Sequence, residues 1–190
     1  MDAIRSDKLI NNYMVDIKKI DVKQDLHLMT WPFCLSTELW EKYSSYNHMA
    51  DLSKLKKIKY FDDNSQLSEQ VLSIPKDKGG IYIYIIENSV IPITGSYIMY
   101  IGRARKTENE SLYHRAKSHF NQYKRHEENE RLERVFDNWK RYVYLLYLPI
   151  DGNEIIDQVE NELILALAPP CNKDYPAPQI RRKLSAFNYS

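Results

Sequence analysis

Apolar and polar positions alternate along two neighbouring stretches of the chain. Over residues 80–87, isoleucines fall on one side and tyrosines on the other, a pattern typical of a β-strand. A connection over residues 89–95, which holds a proline and a glycine, leads to a second strand predicted over residues 97–101. A third strand, rich in tyrosine, leucine and valine, is predicted over residues 142–149. The first two strands should therefore form a hairpin with a longer than minimal loop.

Other segments repeat their apolar residues every three to four positions, as a helix that buries one face does. This spacing predicts helices over residues 110–126, 128–139 and 155–168, the last of which ends at two prolines. A weaker pattern predicts a helix over residues 36–48. The resulting order, β-β-α-α-β-α after an N-terminal extension, predicts an α+β sandwich with a three-stranded antiparallel sheet flanked by helices.

The order of these elements suggests three regions. Residues 1–75 are rich in lysine and form an extension that we expect to serve DNA recognition or dimerisation. Residues 76–175 hold the predicted strands and helices and form the expected catalytic domain. Residues 176–190 form a tail that is basic in its middle.

The amino-acid composition excludes few classes of protein. The 190 residues carry 28% charged side chains but a net charge of +1, so attraction to a polyanion would depend on local patches. The two cysteines, Cys34 and Cys171, belong to no C-x-x-C pair, which disfavours a zinc site and is typical of free thiols in a reducing cytosol. We find no apolar run of signal-peptide or membrane-span length and expect a cytoplasmic protein.

Several polar residues stand where they could serve a common chemistry. Two triplets, Gly-Ile-Tyr at residues 80–82 and Tyr-Ile-Gly at residues 100–102, lie on the predicted hairpin. Taken singly, a tyrosine in a strand is better explained as a packed aromatic and a basic pair as a solvated surface. Four further candidates follow along the chain: Arg115, His119, Glu160 and Asn172.

Glu160 is the candidate for binding a cation. It lies at the edge of the apolar stripe of the predicted helix over residues 155–168, where a carboxylate held partly out of water needs a partner. That partner can be a metal ion or an arginine, and a solvated glutamate is a further alternative. Glu162 lies at the other edge of the stripe and is the second candidate.

The order and types of these residues resemble the GIY-YIG nuclease domain over roughly residues 79–173. The resemblance implies hydrolysis of a phosphodiester bond with Mg²⁺ or Mn²⁺ as cofactor. It implies that Tyr82 is the general base, that Tyr100 positions the water or a phosphate oxygen, and that Glu160 binds the metal. A phenol has a pKa of about 10, so Tyr82 would need a nearby cation to act as a base at neutral pH.

The same resemblance implies roles for the remaining candidates. Arg115 would grip the scissile phosphate, His119 would support Tyr82, and Asn172 would order the loop near the hairpin. Arg103 occupies a position where many family members have lysine. An arginine there can act only electrostatically, because it does not give up its proton.

The sequence contains no second recognisable module, and such a compact chain resembles the restriction-type or phage-type members of the family. Cutting both strands of DNA implies a homodimer whose symmetry matches that of its site. A structure-directed repair or recombination nuclease, which could act as a monomer, is the alternative, and a non-catalytic nucleic-acid-binding module is the third. Basic residues that could contact DNA, or simply form solvated charged faces, are the lysines of residues 54–59, Arg103, Arg105, Lys106, Lys124, Arg125, Arg181, Arg182 and Lys183.

Overall fold

A computed structural model describes residues 31, 33, 35–44, 50–88, 90 and 95–176. The chain divides into two compact units after Trp31, and every element given below belongs to the second unit. Within the described residues, no helix is both long enough and apolar enough to cross a membrane.

The described strands form one antiparallel sheet. They are β1 (Lys56–Lys59), β2 (Gly80–Glu87), β3 (Ser96–Ala104) and β4 (Val143–Pro149), in the spatial order β1-β4-β2-β3. The prediction of three strands was therefore wrong, since β1 adds a fourth at the edge beside β4. Three of its four residues are lysines, which gives no apolar alternation to detect, and only Ile58 is buried.

Four α-helices lie in the described residues: α1 (Thr37–Ser44), α2 (Leu112–Lys124), α3 (Glu130–Trp139) and α4 (Asn153–Leu167). They confirm the α+β class and the predicted order of strands and helices from residue 80 onward. Helix ends differ from prediction by about two residues, except that the prediction for α1 extended to residue 48 and residues 45–49 lie outside the described part. N-capping side chains account for where α2 and α3 begin. Ser111 accepts a hydrogen bond from the His114 amide, and Asn129 accepts one from the Arg131 amide.

The alternation of β2 divides the unit into two layers. Ile81, Ile83 and Ile85 are buried on one face and pack with Ile156 and Val159 of α4. Tyrosines occupy the opposite face, where Tyr84 packs edge-on against Phe136 of α3. Each face of the strand thus carries a different chemistry: an aliphatic core under α4 and an aromatic, hydroxyl-bearing layer under α2 and α3.

Residues 50–75, which the sequence analysis assigned to an extension, belong to this same compact unit. Tyr60, Phe61, Val71 and Ile74 are all buried in it. The hydroxyl of Tyr60 donates a hydrogen bond of 2.7 Å to the Ala116 carbonyl of α2. The segment therefore completes the aromatic layer, and a boundary at residue 75 would cut through the core.

The core contact of α4 yields a test of stability. Ile156→Ala should lower the free energy of unfolding by about 2–5 kcal/mol, because the side chain is fully buried against β2 and its removal leaves a cavity. Its neighbour Ile155 is 37% exposed, so Ile155→Ala serves as the matched control and should cost much less. Urea unfolding of both variants measures the difference, and equal losses would contradict this placement of α4.

Candidate active site

Side chains from two strands, two helices and the loop after β3 line one cleft of about 270 Å³ at the outer edge of β3. Because β3 is the last strand of the sheet, side chains from both faces can meet at this edge. Tyr82 and Tyr100 come from the aromatic face, whereas Arg103 comes from the face that α4 covers. The cleft is lined by Tyr82, Tyr100, Arg103, Arg105, Glu110, Arg115 and Glu160.

Five of the seven predicted catalytic residues therefore share this cleft. The other two lie next to it. His119 is buried beside the phenol of Tyr82, and Asn172 holds the backbone of β3.

The hydroxyl of Tyr82 is the centre of a small hydrogen-bond network. Its oxygen lies 2.8 Å from Nε2 of His119 and accepts a hydrogen bond of 3.2 Å from Nε of Arg115. Arg115 and His119 lie one turn apart on α2, so both reach the same phenol. The sequence spacing of these two residues thus produces a common target.

His119 has a second partner that the sequence did not indicate. Its Nδ1 lies 2.5 Å from Oε2 of Glu128, and both side chains are almost completely buried. Glu128 lies in the turn before α3 and not in the helix predicted over residues 128–139, and only its proximity in sequence to His119 could have suggested the contact.

Burial decides the protonation of the two phenols. It raises the pKa of Tyr82 well above its ordinary value, although the neighbouring Arg115 acts in the opposite direction. Burial raises the pKa of Tyr100 as well. Tyr82 is therefore a neutral phenol at neutral pH, so the general-base role that the resemblance implies would require the phenol to pass its own proton to a neighbour.

Gly102 makes room for this arrangement. It lies directly opposite Tyr82 in the pairing of β2 with β3. A Cβ at position 102 would overlap the phenol of Tyr82 and lie 2.8 Å from Cε1 of Tyr100. The glycine of the second triplet is thus required by the close approach of the tyrosine of the first.

Glu160 is buried on α4 and accepts a hydrogen bond from the guanidinium of Arg103. Arg103 also forms an ion pair of 2.7 Å with Asp157, and Arg105 forms a bidentate ion pair with the same carboxylate. Hydrogen bonding from Arg105 lowers the pKa of Asp157. Asp157 lies one turn before Glu160 on α4, so the two side chains project from the same face of the helix. This spacing could have predicted that Asp157 lies near the same arginines, but the prediction was not made.

Glu162 lies elsewhere. It lines a small cavity with Leu163 and Ala166 of α4 and Tyr43 of α1, on the side of the helix that faces α1. Of the two candidate glutamates, only Glu160 shares a cleft with Tyr82.

Asn172 closes the edge of β3. Its Oδ1 accepts a hydrogen bond of 3.0 Å from the Ile101 amide, and its Nδ2 donates one of 2.8 Å to the Ile101 carbonyl. The Cys171 amide adds a third bond, to the Met99 carbonyl. Asn172 therefore joins the segment after α4 to the backbone of β3.

The predicted DNA-contacting cations occupy different places. Arg103 and Arg105 line the cleft, and the Lys106 amide bonds to Asn153 nearby. Lys124 and Arg125 lie at the far end of α2, where Arg125 pairs with Glu127. Of the lysines of residues 54–59, Lys54 pairs with Asp51, Lys57 with Glu87 and Lys59 with Asp63, and β1 lies at the opposite edge of the sheet from β3. Arg181, Arg182 and Lys183 lie outside the described residues.

The donor set around Glu160 fits a hard cation that keeps most of its waters. Mg²⁺ takes oxygen ligands and is commonly held by one or two carboxylates together with phosphate oxygens. Glu160 presents one carboxylate at a polar cleft, and the cleft has room for a phosphate and water. In the described part of the chain, no three His, Cys, Asp or Glu side chains cluster as a metal site.

Comparisons with protein-family models, curated proteins and solved structures returned no match to this chain.

Asn172→Asp tests the clamp on β3. The new carboxylate would place an oxygen against the Ile101 carbonyl where Nδ2 now donates, so the variant should lose about 1–3 kcal/mol of stability at pH 7. Because burial and this carbonyl favour the protonated acid, its folded-state pKa should be raised. The protonated form can donate the missing hydrogen bond.

The stability supplied by that proton is present below the unfolded-state pKa of about 3.9 and is lost as pH rises through the higher folded-state pKa. The deficit relative to wild type should therefore shrink on acidification, as urea unfolding at several pH values can measure. Asn161→Asp, on the exposed face of α4, is the control and should cost little at any pH. A pH-independent deficit at position 172 would contradict the clamp.

Proposed function

We propose that this protein is a metal-dependent endonuclease of the GIY-YIG type that hydrolyses phosphodiester bonds in DNA. One observation carries the proposal: the hydroxyl of Tyr82, the guanidinium of Arg115 and the carboxylate of Glu160 line a single cleft. They are far apart in sequence and come from β2, α2 and α4. Their convergence supplies a proton acceptor, an anion-binding group and a cation ligand at one place.

Arg115 is the group best placed to bind the scissile phosphate. It donates to a neutral phenol, and none of the ion pairs among the described residues involves it, whereas Arg103 and Arg105 are paired with carboxylates. Its charge is therefore available to an incoming anion. A guanidinium fork can donate two parallel hydrogen bonds to phosphate oxygens, which favours the charge-rich transition state of hydrolysis.

The proton path follows from the contacts of Tyr82. As a water oxygen attacks phosphorus, the water gives its proton to the Tyr82 oxygen, and the phenol gives its own proton to Nε2 of His119. The sugar oxygen on the opposite side leaves with the electrons of the broken P–O bond and takes a proton from solvent. No free phenolate accumulates, which agrees with the raised pKa of Tyr82.

Glu160 would hold the metal ion. When bound, Mg²⁺ or Mn²⁺ supplies charge stabilisation for the phosphate oxygens and for the leaving group. Arg103 then has two acids within reach, so it can keep its pair with Asp157 when Glu160 serves the metal.

The shape of the site favours a polymer. A second cleft of about 450 Å³ shares Tyr100, Arg103 and Glu160 with the first and continues along the segment that contains Asn172 and Lys173. The two clefts form a polar groove along β3, and a strand that enters it extends beyond the scissile phosphate. We propose double-stranded DNA as substrate and a homodimer that cuts both strands, as in restriction-type or phage-type enzymes.

Glu160→Gln tests the metal ligand. Wild-type protein with Mg²⁺ or Mn²⁺ should cut plasmid or genomic DNA into discrete double-strand fragments, and the variant should lose cleavage by about 10³-fold or more. The amide keeps the shape of the side chain, so circular dichroism and DNA binding should change little. Glu162→Gln, on the other side of α4, is the control and should cut normally.

Three results would redirect the assignment. Cuts confined to branched DNA would favour a structure-directed nuclease, and binding without cleavage by wild type would favour a non-catalytic module. Loss of cleavage in Glu162→Gln with full activity in Glu160→Gln would exclude Glu160 as the ligand.

Tyr82→Phe tests the proton path. Loss of the hydroxyl removes the group that joins the water to His119, so the cleavage rate at saturating DNA should fall by about 10²–10⁴-fold with little change in binding. Tyr84→Phe removes a hydroxyl from the same face of β2 outside the cleft and is the matched control. Single-turnover cleavage of a short duplex that contains a mapped site gives both numbers, and an active Tyr82→Phe would refute the role of the phenol.

A further inference from the structure

Glu128 is a buried acid that the assigned roles do not use. Its Oε2 lies 2.5 Å from Nδ1 of His119, and its side chain is only 5% exposed. Its other oxygen accepts a hydrogen bond of 2.8 Å from the Asn129 amide. Burying a carboxylate costs free energy. The placement of Glu128 against a single imidazole therefore suggests that it serves His119.

The turn that carries Glu128 is held from both sides. The Glu127 amide bonds back to the Gln122 carbonyl at the end of α2, and His126 adopts a positive φ of 56°. The side chain of Asn129 donates a hydrogen bond of 3.0 Å to the Cys171 carbonyl, beside the segment that clamps β3. Glu128 is therefore fixed in position relative to both α2 and the edge of the cleft.

For an ionised Glu128 and a neutral imidazole, the hydrogen bonds around Tyr82 and His119 have one consistent direction. An ionised carboxylate only accepts, so Nδ1 of His119 must carry the proton that faces Glu128. In the neutral imidazole, Nε2 is then an acceptor. The Tyr82 oxygen already accepts from Arg115, and its own proton is free to point at Nε2.

We infer that Glu128 is a positioning residue for the reaction: it holds His119 in the Nδ1–H tautomer and neutralises the imidazolium that forms when His119 takes the Tyr82 proton. This inference rests on the proposed nuclease function for its catalytic half. The structural half, the Nδ1–H tautomer of His119, depends only on the contacts of Glu128 and Tyr82 with the imidazole.

The surroundings of His119 contain no second acid that could replace Glu128 among its described contacts. The rings of Tyr82, Tyr84 and Tyr100 lie with centroids 5.4, 5.6 and 5.9 Å from the imidazole, and burial raises the pKa of each phenol. Arg115, the cation nearest to Tyr82, would repel an imidazolium. Glu128 is therefore the carboxylate in contact with His119 that would pair with an imidazolium there.

The proton balance is closed by existing groups. The O–H bond of Tyr82 breaks and an N–H bond forms on Nε2, while the phenol oxygen takes the proton of the attacking water. Nδ1 keeps its proton throughout, with Glu128 as an ionised acceptor, so the acid itself takes no proton. After product leaves, the Nε2 proton passes to solvent through the Tyr82 hydroxyl.

Nuclear magnetic resonance of the protein without DNA or metal tests the tautomer. Long-range ¹H–¹⁵N correlation spectra of ¹⁵N-histidine-labelled protein at pH 8 should show His119 protonated on Nδ1. In Glu128→Ala this preference should be lost, whereas Glu130→Gln, an exposed acid at the start of α3, should leave the spectrum unchanged. Protonation on Nε2 in wild type, or an unchanged tautomer in Glu128→Ala, would overturn the inference.

Cleavage kinetics test the catalytic half. Glu128→Gln keeps the size of the side chain but not its charge, and its cleavage rate at saturating DNA should fall by about 10–100-fold with unchanged DNA binding. Glu128→Asp keeps the charge and should recover part of the rate, which a purely structural role in packing would not predict. Thermal unfolding identifies any variant that fails to fold. If Glu128→Gln does not fold, the cleavage rate of Glu128→Asp is compared with that of Glu128→Ala instead.

The two proposals fail in different ways. If wild type cuts DNA and a folded Glu128→Gln cuts equally well, the positioning role is wrong and the nuclease assignment stands. If wild type cuts no DNA while the spectra show the Nδ1–H tautomer lost in Glu128→Ala, the nuclease assignment is wrong and the structural role of Glu128 stands.

Discussion

The strict alternation of β2 is the constraint on which both the core and the cleft depend. Every second side chain faces α4 and builds the aliphatic core, and every other one faces α2 and supplies the phenol of Tyr82. A slip of one residue would exchange these faces and place an isoleucine beside His119. Gly80 helps to fix the register, because its φ of 152° disfavours other residues and a Cβ there would overlap the Leu148 carbonyl oxygen of β4.

The edge of the sheet explains why the cleft can combine such different groups. Inside a sheet the two faces are separated by backbone, but beyond β3 the phenols of one face and Glu160 from the other helix layer line the same space. An open strand edge also invites pairing with other chains. Asn172 and the Cys171 amide occupy part of that edge, so the same segment that protects β3 also forms the rim of the groove.

Local pattern in the sequence predicted most of this fold but not its long-range pairs. Period two gave β2, and helical spacing gave α2 to α4, since both report which side of an element is buried. Strand β1 gave no such signal, because one buried residue among lysines has no period. At the site, Arg115 and His119 were detectable as neighbours on one helix turn, whereas Glu128 joins them only through the turn between α2 and α3, whose path depends on tertiary packing.

The charge distribution bears on how a nearly neutral chain would attract the polyanionic substrate that we propose. Most cations whose contacts are described here are paired: the lysines of the β1 edge with nearby acids, and Arg103 and Arg105 with the acids of α4. Pairing at a surface cancels much of the field beyond a Debye length of about 10 Å. Arg115 instead donates to a phenol inside the cleft, where burial weakens screening. For the proposed nuclease, attraction for phosphate would thereby be concentrated in the cleft rather than spread along the surface.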